Sequence, residues 1–326
     1  MPGEGAHPRA VKGESANACL VKGATAPRVL CAGMIVLDEV FRVEEFPRND
    51  GKVEAQEFFA VNGDCAANAA VAVARLGGRA VLAGPLGGPA GTDENGDRVL
   101  AALAREAIDT SACQRVDGLA TTLAAIFINA RGERTIVTYR DRRIAAVTPR
   151  DPEALARSAD IVLADNCVPQ FVRPICEAAR RRDVRVVLDA DKATVEADPL
   201  FRVATHVIFS SECLVATTGR PDLADGLAAV ARHTPAFLAV SNGPDDILFI
   251  DAGAVRRMPV FKICAVDTLG AGDALHGGFA LALAEGAPEA QALRFGAAVA
   301  GLKCTRIGGA GAMPARADVA ALLAGG

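Results

Sequence analysis

The sequence contains no tryptophan and a single tyrosine, Tyr139, among its 326 residues. Proteins that bind single-stranded nucleic acid usually stack bases on aromatic side chains, and most nucleic-acid binders follow the phosphates with a basic surface. Lysine and arginine total 35 against 39 acidic residues, which gives a net charge of −4. The scarcity of large aromatic side chains and the slightly acidic balance therefore argue against a DNA- or RNA-binding protein.

Paired cysteine motifs and long apolar runs are also missing. The nine cysteines are odd in number and none has CxxC spacing, so we expect neither a zinc site nor a redox motif but reduced thiols in the cytoplasm. No apolar run approaches the roughly 18 residues that a membrane span needs. Residues 1–27 lack the apolar core of a secretory signal, so we expect a flexible leader ahead of one domain at 28–326.

Most of the chain alternates short apolar runs with helical stretches. Runs such as VRVVLDA and FLAVS are continuously hydrophobic, which is typical of strands covered on both faces. The alternation predicts an α/β fold with a mostly parallel sheet between helices. Strands are predicted at 28–35, 80–84, 160–165, 184–190, 205–210, 236–241 and 246–250. Helices are predicted at 65–76, 96–106, 172–181, 223–233, 271–285, 288–304 and 316–323.

Two segments, 40–62 and 121–143, depart from this alternation. The first mixes charged and hydrophobic residues, and the second is typical of a hairpin with Arg131 and Gly132 at its turn. Both patterns predict strands with one wet face. We therefore expect a small second sheet that serves as a lid or as an oligomer contact.

A glycine-rich loop near the C-terminus carries the clearest chemical signal. Gly270 and Gly272 lie at the entry to a predicted helix, where backbone N–H groups can converge on an anion such as a transferring phosphoryl group. Asp273 follows in the first turn, where a carboxylate suits a general base that accepts a proton from a hydroxyl. A plain helix start with a first-turn acid is the alternative. A dinucleotide motif would need glycine at Leu275, and no GxxxxGK[ST] loop is present.

Residues 267–279, DTLGAGDALHGGF, resemble the second signature of the ribokinase-like, or PfkB, carbohydrate kinases. A second stretch, NGDCAANA at 62–69 followed by ARLG at 74–77, resembles the first signature of the same family, a glycine pair followed by NxA and RLG. The departure there is Asn62, in the place of the first glycine. The resemblance implies a ribokinase-like, Rossmann-type layered α/β fold with a mostly parallel sheet and a small β-sheet lid.

The resemblance also implies roles for individual residues. Asp273 would be the catalytic base, and Gly270, Ala271 and Gly272 would supply the anion hole. Asp38 follows the first strand, at the place where the family holds sugar hydroxyls, and it can accept hydrogen bonds from two of them. Gly63 and Asn68 match the sugar-contacting loop and helix start, although helix capping alone would also explain Asn68.

The same comparison assigns a nucleotide site and its ions. The implied cofactors are ATP, Mg²⁺ and, in many members of the family, a monovalent cation such as K⁺ beside the 305–309 loop. Glu212 is the candidate magnesium residue, although the NxxE element that organises magnesium is poorly matched at 210–213. Asp189 and Asp191 end another strand and are interpreted as ordinary loop acids. The implied nucleotide-binding residues are Ser241, Gly243, Thr268, Thr305 and Gly308.

Within the family, the runs at 162–165, 267–277 and 302–309 are similar to the sulfofructose kinases. Lys52 matches the lid lysine that holds the sulfonate there, but Thr138 and Cys167 replace an asparagine and an arginine. A ketohexose or a derivative of one, phosphorylated on a primary hydroxyl, is the expected substrate. A sugar-phosphate kinase, a nucleoside kinase and a non-catalytic sugar- or nucleotide-binding protein remain open. The family also suggests a homodimer through the lid.

Overall fold

A computed structural model describes residues 25–325, so residues 1–24 of the expected leader lie outside the described part of the chain. The strands are β1 (Arg28–Ala32), β2 (Val36–Arg42), β3 (Glu57–Gly63), β4 (Arg79–Ala83), β5 (Pro85–Gly88), β6 (Gln114–Asp117), β7 (Thr122–Ile128), β8 (Arg134–Tyr139), β9 (Ile161–Asp165), β10 (Arg185–Ala190), β11 (His206–Ser210), β12 (Phe237–Asn242), β13 (Asp245–Asp251) and β14 (Ala254–Met258). The helices are α1 (Cys65–Arg75), α2 (Glu94–Arg105), α3 (Pro152–Arg157), α4 (Pro169–Arg180), α5 (Pro199–Val203), α6 (Ser211–Thr218), α7 (Leu223–Ala231), α8 (Ala271–Ala284), α9 (Glu289–Cys304) and α10 (Arg316–Gly325). None of the described helices is long and apolar enough to cross a membrane.

The main sheet has eight strands in the order β14-β13-β12-β11-β10-β9-β1-β4. The six strands from β12 to β4 run parallel, and β13 and β14 add an antiparallel edge. Successive residues of a strand point to opposite faces, and both faces are covered here. Val29 and Cys31 pack on the side of α1, α8 and α9, whereas Leu30 and Ala32 pack on the side of α4.

A second sheet of four strands, in the order β3-β2-β7-β8, stands beside the main sheet, and we call it the lid sheet. One face is partly covered, as the alternating burial of β7 shows, whereas every residue of β8 is exposed. The turn between β7 and β8 contains Gly132 with a φ of 76°, which agrees with the predicted hairpin. A two-stranded parallel sheet, β5 with β6, accompanies it.

The single strand predicted at 28–35 is in fact divided between the two sheets. Strand β1 ends at Ala32 in the main sheet, and β2 begins at Val36 in the lid sheet. Gly33 lies at the division, where a Cβ would stand 1.7 Å from Asp165 Oδ2. The chain therefore leaves the main sheet at a point where another strand's carboxylate comes close to its backbone.

The carboxyl ends of the parallel strands meet at one edge of the main sheet, where open α/β sheets bind ligands. Strand β9 delivers Asp165, β10 delivers Asp189, and Glu212 follows β11. Strand β12 pairs with β11 through Ser241 and Ser210, so the β12–β13 turn lies at the same edge. The N-terminus of α8 and the start of the lid sheet complete this side of the molecule.

Candidate active site

Asp273 is the third residue of α8 and is half-buried at the helix N-terminus. Its Oδ2 accepts a hydrogen bond of 2.7 Å from Asn68 Nδ2 on α1. Asn68 is in turn oriented by Asn62, whose Nδ2 donates to Asn68 Oδ1 at 3.1 Å. Burial, followed by the negative charge of Asp189, raises the pKa of Asp273 to about 7. A fixed carboxylate of this kind can accept a proton near neutral pH.

The loop before Asp273 directs backbone donors outward. Gly270 caps α8 with a φ of 81°, a conformation that glycine adopts without strain. The N–H of Ala271 donates to Thr268 O at 3.2 Å, but within the described residues the N–H groups of Gly272 and Asp273 have no backbone partner. First-turn N–H groups lack intrahelical acceptors and lie at the positive end of the helix dipole. Two of them are therefore free to bind an anion.

Asp38, Gly63 and Asn68 lie together, as the resemblance implies they should. Asp38 is buried on β2, and its carboxyl group fits against the backbone of Gly63, where a Cβ would stand 2.1–2.2 Å from it. Burial, followed by the charges of Asp64 and Asp273, raises the pKa of Asp38 to about 7. The two carboxylates and the Asn68 amide therefore form one polar pocket.

Asn62, the departure from the first signature, has a regular strand backbone, and the unusual backbone of this stretch lies at Asp64. Asn62 pairs regularly with Leu37 in β3, whereas Asp64 has a φ of 67° and a ψ of 166°. This region of backbone space is normally occupied by glycine, and another residue there stores about 1–3 kcal/mol of strain. The Asp64 carboxylate caps α1 by accepting from Cys65 N at 2.8 Å.

Further acidic groups surround this pocket. Asp165 is buried and accepts from the N–H groups of Met34 and Cys167 at 2.8 and 2.9 Å. Asp189 is buried next to His276, with 3.2 Å between Oδ2 and Nδ1. Burial raises the pKa of both carboxyl groups well above the ordinary value, and nearby acids (Asp64 for Asp165, Asp191 for Asp189) raise it further. Several aspartates thus lie close together around the pocket. The interpretation of Asp189 as an ordinary loop acid missed this feature.

Two thiols lie among these carboxylates. The donor atoms of Cys65, Cys167 and Asp64 lie within 4.8 Å of one another, and so do those of Cys65, Asp189 and Asp273. The Cys167 thiol and burial raise the pKa of Cys65. The contact with Cys65 lowers the pKa of Cys167, but burial and the charges of Asp165 and Asp64 outweigh it and raise that pKa to about 12. Both side chains are therefore protonated at neutral pH and contribute small apolar surface to the pocket.

The residues implied for the nucleotide fall into two groups. Ser241 and Gly243 lie at the β12–β13 turn, where Ser241 Oγ donates to Phe209 O at 3.3 Å. Thr268 and Thr305 are exposed, and Gly308 has a φ of 127°. Asp267 joins the second group, because its Oδ2 accepts from Gly308 N at 3.1 Å while its Oδ1 accepts from Leu269 N at 2.8 Å.

Glu212 lies in the first turn of α6 and is exposed. Burial, then the charge of Asp64 and, more weakly, the charge of Glu212 raise the pKa of Asp191, the residue that follows β10. The two carboxylates are thus near enough for their charges to interact, and neither forms an ion pair with a lysine or arginine among residues 25–325. Carboxylate oxygens of this kind suit a hard divalent cation.

The lid sheet touches the glycine-rich loop through Arg134 of β8, whose Nη1 donates to Thr268 Oγ1 at 3.3 Å. A cleft of about 240 Å³ separates the β7–β8 hairpin from residues 265–269. Lys52 lies in the exposed β2–β3 connection, and within the described residues it makes no hydrogen bond or ion pair with the pocket. The geometry thus brings Asp38, Gly63, Asn68 and Asp273 together and leaves Lys52 apart.

Lys303 was not among the residues that the sequence singled out. Its side chain is completely buried in the last turn of α9, and its ammonium group contacts Asp267. Only its place in the LKCTRIGG run could have drawn attention to it, because a lysine near a helix end is ordinarily a solvated residue that favours the helix dipole.

Comparison with known proteins identifies the class of protein that this fold and site define. The model of the pfkB family carbohydrate kinases matches residues 26–316, and the chain belongs to that family. It is thus a carbohydrate kinase by family, a phosphotransferase that acts on an alcohol group. The ribokinase-like α/β fold expected from the sequence is confirmed.

Relatives act on more than one sugar. The chain is 28% identical to the ribokinase of Haemophilus influenzae over 295 residues, covering 88% of this chain and 95% of that one. It is 27% identical to fructokinase-1 of Zea mays over 301 residues, covering 83% and 90%. A solved structure from Agrobacterium tumefaciens, provisionally assigned as a ribokinase, has a TM-score of 0.85 and 36% identity over 92% of this chain and 98% of that one. These relatives do not confirm the likeness to sulfofructose kinases.

Proposed function

We propose that the protein transfers the γ-phosphoryl group of ATP to a primary hydroxyl of a small uncharged sugar, a ketohexose or a close relative. The observation that carries this proposal is the placement of Asp273. Its half-buried carboxylate is fixed by Asn68 at 2.7 Å and lies beside N–H groups of the same helix turn that have no backbone acceptor among residues 25–325. A base for the acceptor and donors for the phosphoryl group are thereby held together.

Each group has a role that follows from its chemistry. Asp38 accepts hydrogen bonds from sugar hydroxyls, and Asn68 both orients Asp273 and contacts the sugar. Asp273 accepts the proton of the attacking hydroxyl as the new P–O bond forms and the bond from the γ-phosphorus to the leaving oxygen of ADP breaks. The N–H groups of Gly272 and Asp273 stabilise the negative charge on the transferring phosphoryl oxygens.

The nucleotide residues complete this proposal. We expect Ser241 and Gly243 to line the phosphate side, and Thr268, Thr305 and Gly308 to line the other. Glu212 and Asp191 supply the carboxylate oxygens expected to hold Mg²⁺, directly or through its water ligands. When bound with ATP, Mg²⁺ would neutralise charge on the phosphates.

The charge of the pocket favours an uncharged sugar over a sugar phosphate or sulfonate. Asp38, Asp165, Asp189 and Asp273 surround Asp64, and no lysine or arginine within residues 25–325 forms an ion pair with any of them. An anionic substituent would find no cationic partner among these acids, and it could enter only against their negative charge or by driving further protonation of them in a partly desolvated site. The exposed lysine that matches the sulfonate-binding one, Lys52, does not change this balance.

Substitution of the base tests the reaction. Asp273→Asn keeps the size of the side chain but cannot accept the proton, so ADP release should fall by about 10²–10⁴-fold while ATP binding persists. Asp225 is the matched control, because it is also the third residue of its helix, α7, and is exposed on another part of the molecule. Asp225→Asn should retain wild-type turnover. Near-normal turnover by Asp273→Asn would refute the role of Asp273.

The acceptor class is tested by ADP release with pairs of sugars that differ only in charge. Fructose and ribose are compared with fructose 6-phosphate, ribose 5-phosphate and a sulfonated ketohexose. We expect kcat/KM for the uncharged sugars to exceed that for the anions by at least about tenfold. A higher kcat/KM for a phosphate or sulfonate would contradict the charge argument while leaving the kinase assignment intact.

We also propose that the protein works in the cytoplasm and forms a homodimer through the lid sheet. The eight cysteines of the described residues are all free thiols, which supports a reducing compartment. Phe58, Val137 and Tyr139 expose apolar surface on the lid strands, which supports a contact there. Light scattering measures the molar mass of the wild type and of Val137→Glu. The wild type should have the mass of a dimer, and the negative charge introduced by Val137→Glu should reduce it to that of a monomer.

A further inference from the structure

Lys303 is completely buried, which is unusual for a lysine. Its Nζ donates to the main-chain oxygen of Asp267 at 2.9 Å and forms an ion pair with Asp267 Oδ2 at 3.0 Å. An ammonium group without such partners would be strongly unfavourable in the protein interior. Its position therefore depends on Asp267, the first residue of the DTLGAGD motif.

Asp267 in turn connects three segments of the site. Its Oδ1 accepts from Leu269 N at 2.8 Å, and its Oδ2 accepts from Gly308 N and Gly309 N at 3.1 and 3.2 Å. Burial alone would raise the pKa of Asp267, but the Leu269 N–H and the Lys303 ammonium hold it below its ordinary value. The carboxylate is thus ionised, and it holds the loop before α8 against the turn that follows α9.

This arrangement does not fit the monovalent cation that the family resemblance implies beside residues 305–309. A bound K⁺ needs oxygen ligands that are free to face it. Here both oxygens of Asp267, the buried carboxylate nearest that loop, already accept from N–H groups, and Oδ2 also pairs with an ammonium. A second cation at this carboxylate would meet the positive charge of Lys303 at short range.

We propose that the Lys303 ammonium replaces the monovalent cation as a covalently attached positive charge, and that the enzyme therefore needs no K⁺. Lys303 is a positioning residue: through Asp267 and Leu269 it fixes the loop that presents Gly270 and the first N–H groups of α8. The positioning role of Lys303 rests on the proposed kinase reaction. The claim that no K⁺ is bound does not rest on that reaction, because it concerns binding alone.

The wild-type enzyme provides the first test, because it needs no substitution. Activity is measured at equal ionic strength in potassium, sodium and tetramethylammonium chloride, and thermal melting is followed in the same salts. We expect kcat to agree within about twofold and the melting temperatures to coincide, since no cation is bound specifically. Activation by K⁺ of about fivefold or more, or a K⁺-specific rise in melting temperature, would overturn the proposal. The melting comparison remains decisive even if no sugar is turned over.

The second test removes the ammonium. Lys303→Ala should lower kcat at least about tenfold and raise KM for ATP, with little change in KM for the sugar, because the loop before α8 loses its anchor. Added ammonium or K⁺ should restore part of kcat by occupying the vacated space, and tetramethylammonium should not. Lys262→Ala, at an exposed lysine, is the matched control and should behave as the wild type. Wild-type kcat in Lys303→Ala, or equal activity of this variant in all three salts, would contradict the role of Lys303.

Discussion

The fit of the Asp38 carboxyl group against the Gly63 backbone leads to a sharp prediction about one methyl group. The φ of Gly63 is not positive, so alanine can adopt this backbone without strain. The added Cβ, however, would stand 2.1–2.2 Å from all three carboxyl atoms of Asp38. Because a carbon and an oxygen seldom approach closer than about 3.2 Å, the carboxyl group must move by about 1 Å.

That displacement removes Asp38 from the position proposed for holding the sugar. A hydrogen bond to a charged group contributes about 1.5–3 kcal/mol, so the loss of two gives about 3–6 kcal/mol. At 1.4 kcal/mol per factor of ten, kcat/KM for the sugar should fall by about two to four powers of ten in Gly63→Ala. The affinity for ATP should stay within about twofold, because the residues proposed for the nucleotide lie elsewhere.

The assay is ADP release at varied sugar concentration, combined with calorimetric titration of ATP. Gly311→Ala is the matched control, since the φ of Gly311 is not positive and its Cβ would meet nothing within 4 Å. This control should retain wild-type kinetics. An unchanged KM for the sugar in a folded Gly63→Ala variant would refute the assignment of Asp38 to sugar binding.

Three further predictions concern the acidic groups of the pocket. The pKa of Asp273 is raised to about 7, and the base must be ionised to accept a proton. In a pH–rate profile, kcat/KM should therefore rise about tenfold per pH unit below about pH 7 and level off above it. A flat profile between about pH 5.5 and 8 would contradict this. Asp38 has an ordinary pKa of 3.8 and a folded-state pKa of about 7, so the folded protein binds the extra proton between these values. The free energy of unfolding of the protein should therefore fall, by on the order of 4 kcal/mol, as the pH rises from about 4 to 7. In urea titrations, Asp38→Asn should lessen that fall and should stabilise the protein at about pH 8. Asp64→Gly should relieve backbone strain of about 1–3 kcal/mol, while the entropy of glycine costs about 1 kcal/mol and the lost helix cap a few tenths. We therefore expect the variant to be more stable by about 1 kcal/mol in the same urea experiment. A loss of stability would mean that Asp64 is unstrained.

Local patterns predicted most of the regular structure because the fold satisfies them locally. The continuously apolar runs became buried parallel strands: for example, the run predicted at 160–165 is β9 and the run predicted at 184–190 is β10. The segment predicted at 28–35 failed for a tertiary reason. Its apolar character continues through Ile35, but the carboxylate of Asp165, from the neighbouring strand β9, stands against Gly33, and the chain moves to another sheet there.

The candidate site was open to prediction where one motif supplies both the backbone geometry and the chemistry. The DTLGAGD loop places Asp273 beside free N–H groups through contacts that are local in sequence, so the pattern was sufficient to propose its role. Asp64 and Lys303 were different. The strained backbone of Asp64 is visible only in three dimensions, and the burial of Lys303 depends on Asp267, 36 residues away along the chain.

The distribution of charge along the site resolves an apparent conflict in the proposed reaction. A pocket lined by carboxylates must receive the γ-phosphate of ATP, which is itself negative, within reach of Asp273. In the proposed reaction the positive end of α8 meets the phosphoryl group at Gly272 and Asp273, while the Lys303 ammonium balances Asp267 behind the same loop. Asp273 is the one acid of the pocket that lies on this positive helix end, so it alone can work beside a phosphate. Asp38 approaches from the lid sheet, where negative charge suits sugar hydroxyls.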